Sequence, residues 1–376
     1  MADTWYDRLN VNRVINSRGT LTSLGGSRMF PSAAQGMVEA SACFVELTEL
    51  SRKAGDYVSK LLNVEASIIT AGAAAGLTEA AAACMAGTDA YLRSKLPDPI
   101  PKNEIIIQCT HRNPFERAIR ISGATLCEIG NAIETHPFEL EGAINEHTAA
   151  VVFFLQAEML DASLRLEETL EIAHHFNVPV IVDAAAELPP KSNLWTIAQK
   201  GADLVIFSGG KDLRGPQSSG LMVGRKDLIE AAALQTAPYE YSVARPMKAS
   251  KETILGLVAA IEEYLLEDEP ERFHQWNLMC EHLEQALADL PELFTKRTRP
   301  NQPKLQPAVI PRIAIGLEPS AGFSLDDLNQ NLQSGSPKIL VTQMNGSILI
   351  NPHTLTMEEI QIIISRIKEI VHQYRK

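Results

Sequence analysis

Two side chains of this 376-residue chain have the types and spacing for covalent cofactor chemistry. Asp183 ends an apolar run, Val178-Pro179-Val180-Ile181-Val182. Lys211 follows a second run, Leu204-Val205-Ile206-Phe207, by way of Ser208-Gly209-Gly210. A lysine amine can condense with an aldehyde as a Schiff base. A carboxylate facing a pyridine nitrogen keeps that nitrogen protonated, so that the ring can draw electrons. An acid closing one buried strand and a lysine just past the next is what pyridoxal 5'-phosphate (PLP) requires. Singly, neither residue says this: acids end strands in many α/β proteins, and a lysine after two glycines is often a solvated loop residue. The neighbours favour the cofactor. The Ser208 hydroxyl is placed to reach a phosphate, Gly209 and Gly210 let backbone pass close to a ligand, and Ala184 and Ala185 leave room for a flat ring.

Phosphate needs amide donors and positive potential, which a helix N-terminus supplies. Gly72-Ala73-Ala74-Ala75-Gly76 follows the apolar run Ser67-Ile68-Ile69-Thr70 and opens a helix with small residues. Tight packing against a sheet would use the same residues. The sequence is not a Walker loop, because the Gly-Lys-Ser/Thr ending is absent. Arg214 is a further candidate phosphate contact. His111, in Thr110-His111-Arg112-Asn113-Pro114-Phe115, follows the strand run Ile105–Cys109 and could stack on the PLP face opposite Ala185, with Phe115 as the competing ring. Arg245, in Arg245-Pro246-Met247-Lys248, could meet an anionic substrate or a neighbouring subunit's cofactor phosphate, and Lys248 shares that choice; a solvated hinge fits both equally. Near the N-terminus, Asn16, Arg18, Thr22 and Ser27 stand among glycines and could form a lid over a substrate carboxylate. Arg18 suits that bidentate task best.

These residues need a sheet to hold them. Short apolar runs separated by helical periodicities, from Glu104–Cys109 and Ala150–Leu155 to Gly220–Val223, predict an α/β fold with a mostly parallel sheet flanked by helices. After about Arg245 the character changes. Helices are expected at Glu252–Glu267 and Pro270–Leu290, then a proline-bearing connector at Arg299–Pro311. Strands at Arg312–Leu317, Ile339–Thr342 and Ser347–Ile350 and a final helix at Met357–Tyr374 complete a smaller α+β domain. The expected organisation is an N-terminal arm (1–30), a large PLP-binding domain (31–245) and a small C-terminal domain (246–376) entered by a bridging helix (246–270).

Composition narrows the partners. Acids outnumber bases 46 to 34, a net charge of −12, which disfavours nucleic acid as a nonspecific partner. Five scattered cysteines without a CxxC pair predict neither a metal site nor a disulfide framework. Reduced thiols fit a cytoplasmic protein. No stretch has the length of a membrane span, and the N-terminus lacks a basic-then-apolar signal.

With these residues in hand, the chain resembles the selenocysteine-synthase-like branch of the aspartate aminotransferase fold (PLP fold type I). That branch includes bacterial seryl-tRNA selenium transferase and the D-glucosaminate-6-phosphate ammonia-lyase type of enzyme. The matching text is Val14–Thr20 with Leu24-Gly25-Gly26-Ser27, Val182–Ala186, Phe207–Lys211, Leu213–Leu221 and Arg245–Lys248. The resemblance implies Lys211 as the Schiff-base lysine, Asp183 at the pyridine nitrogen, and PLP bound between subunits of a homodimer or larger oligomer. Two departures stand out. Selenium transferases resemble this chain only after a further N-terminal domain that engages tRNA, whereas here the arm begins almost at residue 1. Ammonia-lyase relatives tend to carry an arginine where this chain has Thr342. The reading is a PLP-dependent lyase that performs α,β-elimination on a small amino acid or amino-sugar acid, with Lys211 as the base. The alternatives are β-replacement of the selenium-transferase kind, transamination, or a PLP-fold protein without turnover.

Overall fold

The structure, a computed structural model, describes residues 4–156, 161–299 and 307–375. Most of the expected connector at Arg299–Pro311 lies outside the described residues. The chain divides into two compact units. The larger holds Arg28–Glu267, and the smaller holds Met1–Ser27, Asp268–Pro300 and Ala308–Lys376.

In chain order the strands are β1 (Val14–Asn16), β2 (Ala66–Thr70), β3 (Glu104–Gln108), β4 (Thr125–Ile129), β5 (Thr148–Phe154), β6 (Val180–Asp183), β7 (Leu204–Ser208), β8 (Gly220–Gly224), β9 (Leu293–Thr298), β10 (Arg312–Leu317), β11 (Lys338–Leu340), β12 (Thr342–Met344) and β13 (Ser347–Ile350). The larger unit carries a seven-stranded sheet in the order β2-β8-β7-β6-β5-β3-β4. Its members are parallel except β8, which runs antiparallel to both β2 and β7. The sheet is mixed but mostly parallel, as the apolar runs predict.

The central strands are apolar on both faces because both faces are covered. Val180, Val182, Val205 and Phe207 point into one hydrophobic cluster, which contains Ile254, Leu257 and Ile261 of the helix Lys251–Leu266. Ile181, Leu204 and Ile206 point into the other, built around Leu77 and Ala80–Ala83 of the helix Ala73–Ala86. The alanines let that helix lie close on the sheet, and its N-terminus ends at the sheet's carboxyl edge. The helix Lys251–Leu266, read from sequence as a bridge within the C-terminal domain, belongs to the larger unit and packs on the helices Pro31–Ser41 and Leu47–Leu62.

The smaller unit holds a four-stranded antiparallel sheet, β12-β13-β10-β9. The terminal helix Met357–Tyr374 starts at a Thr356–Glu359 capping box and buries Ile360, Ile363, Ile364, Ile367 and Ile370 in its core. The arm is less irregular than its sequence suggests. A short helix, Trp5–Arg8, precedes β1, which pairs in parallel with β11, and contacts place the arm in this unit. Strand β9 was not foreseen in the sequence.

Candidate active site

Asp183 is the last residue of β6. Its neighbours across the sheet are Phe154 on β5 and Ile206 on β7. The chain turns at once, and the Ala185 N–H donates to Asp183 Oδ1 at 2.8 Å. A small residue permits this turn, and the bond engages one of the two carboxylate oxygens.

Lys211 stands three residues past the end of β7, on a loop that folds back on itself. The Gly209 N–H donates to Ser219 O at 2.8 Å, the Gly215 N–H to Gly209 O at 2.8 Å, and the Arg214 N–H to Lys211 O at 3.0 Å. A Cβ at Gly210 would lie 2.6 Å from Gln217 Cα, so the two sides of the loop could not approach as they do. Next to Lys211, buried Asp212 accepts a hydrogen bond from the Tyr264 hydroxyl at 2.6 Å, which ties the loop to the helix Lys251–Leu266.

Asp183 and Lys211 lie in each other's electrostatic field. Burial pushes the Asp183 carboxyl above its ordinary range, while the Ala185 N–H and Lys211 pull it back. Burial likewise pushes the Lys211 amine down, against the pull of Asp183 and then Glu187. Desolvation dominates at both groups. An amine so placed gives up its proton more readily than a surface lysine, as a nucleophile or base requires. Glu187 was not singled out in the sequence. Its signal was slight: it is the acid that closes the run Asp183-Ala184-Ala185-Ala186.

A cradle of small residues lies at the neighbouring strand ends. Gly220 on β8 lies in register with Thr70 of β2 on one side and Ser208 of β7 on the other. A Cβ at Gly220 would fall 2.6 Å from Gly72 C and 2.9 Å from Ala73 N. The missing side chain therefore brings the Ser208 strand end and the start of the helix Ala73–Ala86 together. Gly72, at φ +98°, is the helix N-cap, and no side chain caps the first-turn amides. The first-turn amides, those of Ala73 and Ala74 among them, are of the kind that suits an anion. An amine, an acid, a hydroxyl and a helix N-terminus thus meet at one sheet edge, and this donor set fits PLP.

His111 ends the short 3-10 turn after β3 and is 1% exposed. Its Nδ1 accepts the Phe154 N–H at 3.1 Å, and its ring stands edge-on to Phe153 with centroids 4.5 Å apart. Because Phe154 is the register partner of Asp183, His111 sits one strand away from the acid. Burial pushes its pKa down to about 4. Phe115 is 57% exposed, so the histidine is the ring that the sheet edge encloses.

Other expected site residues are engaged elsewhere. Arg214, at φ +51°, stacks on Phe30 with its guanidinium carbon 4.0 Å from the ring centroid and pairs with Glu267 at 3.2 Å. That packing role, not a phosphate contact, is where the structure puts its charge. Arg245 is half-buried in a turn that Ala244 joins to Gln235 through an N–H to carbonyl bond of 2.9 Å. Among the described residues it shares no hydrogen bond with Asp183 or Lys211. In the smaller unit, Asn16 spends its amide on a turn, donating to Gly19 O at 2.8 Å and accepting from Arg18 N at 2.9 Å. Arg18 donates from Nε to Val341 O at 2.8 Å, and Ser27 is half-buried.

Comparison with known proteins then decides the lineage. Residues 51–297 match the profile of the L-seryl-tRNA selenium transferase family. The chain belongs to this family. Among its relatives, a 5'-C-glycyluridine monooxygenase-decarboxylase from a Streptomyces species is 30% identical over 97% of this chain and 92% of its own length. The D-glucosaminate-6-phosphate ammonia lyase of Salmonella typhimurium is 30% identical over 98% of both chains. An L-seryl-tRNA(Sec) selenium transferase from Solidesulfovibrio magneticus is 25% identical over 95% of this chain and 81% of that protein. In three dimensions, a solved D-glucosaminate-6-phosphate ammonia-lyase matches over the whole of both chains with a TM-score of 0.86 at 30% identity. An aspartate aminotransferase from Thermus thermophilus, at 12% identity and a TM-score of 0.52, shares the fold alone. The family and fold are PLP-dependent, and this member is an enzyme of the lyase and transferase group. Among the described residues, no helix is long and apolar enough to cross a membrane.

Proposed function

We propose that this protein is a PLP-dependent lyase that eliminates a group from the β-carbon of a small amino acid or amino-sugar acid, releasing a keto acid and ammonia. The observation that carries the reading is the desolvated Asp183–Lys211 pair at adjoining strand ends. Likeness to an ammonia lyase along nearly the whole chain supports it.

When bound, PLP supplies an electron sink for the bond broken at the α-carbon. Lys211 Nζ holds the cofactor and, once free, takes the substrate's α-proton; burial lowers its pKa, which favours the unprotonated amine that a base needs. Asp183 Oδ1 is held by the Ala185 N–H, which leaves Oδ2 to keep a proton on a ring nitrogen. The amides of Ala73 and Ala74, the Gly72 turn and the Ser208 hydroxyl bind the phosphate. His111 and Ala185 bound the ring's two faces. Arg18, Arg245 and Ser27 serve the anionic part of the substrate, whereas Asn16 acts by shaping the turn that carries Arg18.

The protein acts in the cytoplasm as a homo-oligomer with its cofactor near a subunit interface. Five free thiols among the described residues fit a reducing compartment. Screening amino acids and phosphorylated amino-sugar acids for keto-acid and ammonia release tests the reading. Absence of release from every 2-amino acid bearing a β-leaving group, with PLP bound, would overturn it. The family profile favours one rival, β-replacement on a seryl-tRNA. Tight tRNA binding despite a net charge of −12 would select that rival, and accumulation of pyridoxamine phosphate would select transamination.

A further inference from the structure

His111 presents a buried hydrogen-bond donor that nothing in the chain uses. Its Nδ1 accepts the backbone N–H of Phe154 at 3.1 Å. A ring nitrogen that accepts carries no proton, so in the neutral imidazole the proton belongs to Nε2. Cε1 separates the two nitrogens on the ring, so Nε2 is turned away from the Phe154 N–H that Nδ1 accepts. That atom is fully buried and has no partner among the described residues. A buried N–H without an acceptor costs about 1–3 kcal/mol, so a donor left in that state calls for a partner that the chain itself does not supply.

We propose that His111 is a donor locked in one tautomer, and that its Nε2–H binds an anionic oxygen of the ligand held at the Asp183–Lys211 site. The inference rests on the reading of that site as the PLP site. It goes beyond stacking, because a stacking ring needs no particular nitrogen protonated. The strand register makes it local: Phe154, which fixes the tautomer, is the cross-strand partner of Asp183. The edge-on Phe153 ring, with centroids 4.5 Å away, holds the imidazole plane. Burial disfavours the imidazolium, so His111 donates without serving as an acid or base. The anionic oxygen belongs either to the cofactor ring or to the substrate carboxylate.

Nitrogen-15 NMR of histidine-labelled full-length protein, with the His111 signals assigned by their loss in His111→Gln, tests the tautomer without reference to turnover. The expected result is an unprotonated Nδ1 and a protonated Nε2 that do not titrate between about pH 5 and 8. A proton on Nδ1, or titration in that range, overturns the proposal. Two variants separate donor from stack. His111→Gln keeps an N–H near the Nε2 position, and His111→Phe keeps the ring. Both deprive the Phe154 N–H of its acceptor, so their difference isolates the donor. His111→Phe is expected to lose about 10- to 100-fold more than His111→Gln. The loss falls in PLP affinity if the acceptor is on the cofactor, and in KM at unchanged PLP affinity if it is on the substrate. Equal losses, or the reverse order, overturn the proposal. Failure of the wild-type protein to bind PLP overturns the functional reading instead and leaves the NMR result to judge His111.

Discussion

The Tyr264 hydroxyl donates to the Asp212 carboxylate at 2.6 Å, and Asp212 is the residue next to Lys211. Both partners are buried. The reactive loop is thus pinned to the helix Lys251–Leu266. Removing the hydroxyl deprives a buried acid of a donor, which costs about 1–3 kcal/mol. Tyr264→Phe is expected to lower the urea midpoint accordingly and to broaden the response of Lys211 to PLP, read as slower cofactor binding. An unchanged midpoint would show that the pair contributes nothing to holding the loop.

Gly220 makes a sharper claim about the cradle. A Cβ there would meet Gly72 C at 2.6 Å and Ala73 N at 2.9 Å, so Gly220→Ala must push the helix start away from the Ser208 strand end. Overpacking of this kind costs about 1–3 kcal/mol, and here it falls on the phosphate site. PLP affinity measured by equilibrium titration is expected to drop about 10-fold or more, with the helical signal retained. Unchanged affinity would mean that the phosphate binds elsewhere.

Glu79 offers a test by pH that leaves the cofactor aside. It lies in the helix Ala73–Ala86, it is 1% exposed, and among the described residues only the Thr236 side chain offers its carboxyl a weak hydrogen bond, at poor geometry. Thr236 favours ionisation, but burial outweighs it and pushes the pKa up to about 8. The folded state therefore holds this proton more tightly than the unfolded chain, whose ordinary value is 4.5. Stability is fully present below about pH 4.5, falls as the unfolded chain alone ionises, and levels off above about pH 8. Glu79→Gln keeps the neutral shape and cannot ionise. Thermal midpoints compared at pH 5.5 and 8.5 should diverge, with the wild type losing more. Parallel curves would contradict the buried, protonated acid.

Arg18 is held by its Nε at Val341 O and by its backbone N–H at Asn16 Oδ1, which leaves both terminal nitrogens without a protein partner among the described residues. A bidentate carboxylate site has that form. Arg18→Ala is expected to raise KM about 10- to 100-fold while leaving PLP affinity as it was. A change in kcat at constant KM would remove Arg18 from substrate binding.

Much of this was legible in the sequence because local patterns report burial. The runs Val180–Val182 and Leu204–Phe207 are apolar at every position, as a sheet covered on both faces requires, and the acid, the lysine and the small residues sit where those runs stop. The terminal helix announced itself through its isoleucine spacing. What the sequence hid was partnership across distance. Nothing in Val14–Asn16 signals a partner some 320 positions away, yet Ser17 Oγ donates to Leu340 O at 2.8 Å, a separation of 323. Nothing in Gly220–Gly224 says that the strand inserts antiparallel between β2 and β7. Strand β9 was missed because Lys296 and Arg297 interrupt its pattern. Arg214 looked like a phosphate ligand by position alone; Phe30 and Glu267, which claim its guanidinium, are far away in sequence.

The central claim is that one particular amine carries the cofactor. Borohydride reduction of the PLP-loaded protein followed by peptide mass spectrometry reads that amine directly. The account predicts a stable phosphopyridoxyl group on Lys211, absent from Lys211→Ala together with the visible absorbance of the bound cofactor. A reduced adduct on any other lysine, or an undiminished absorbance band in Lys211→Ala, would contradict it.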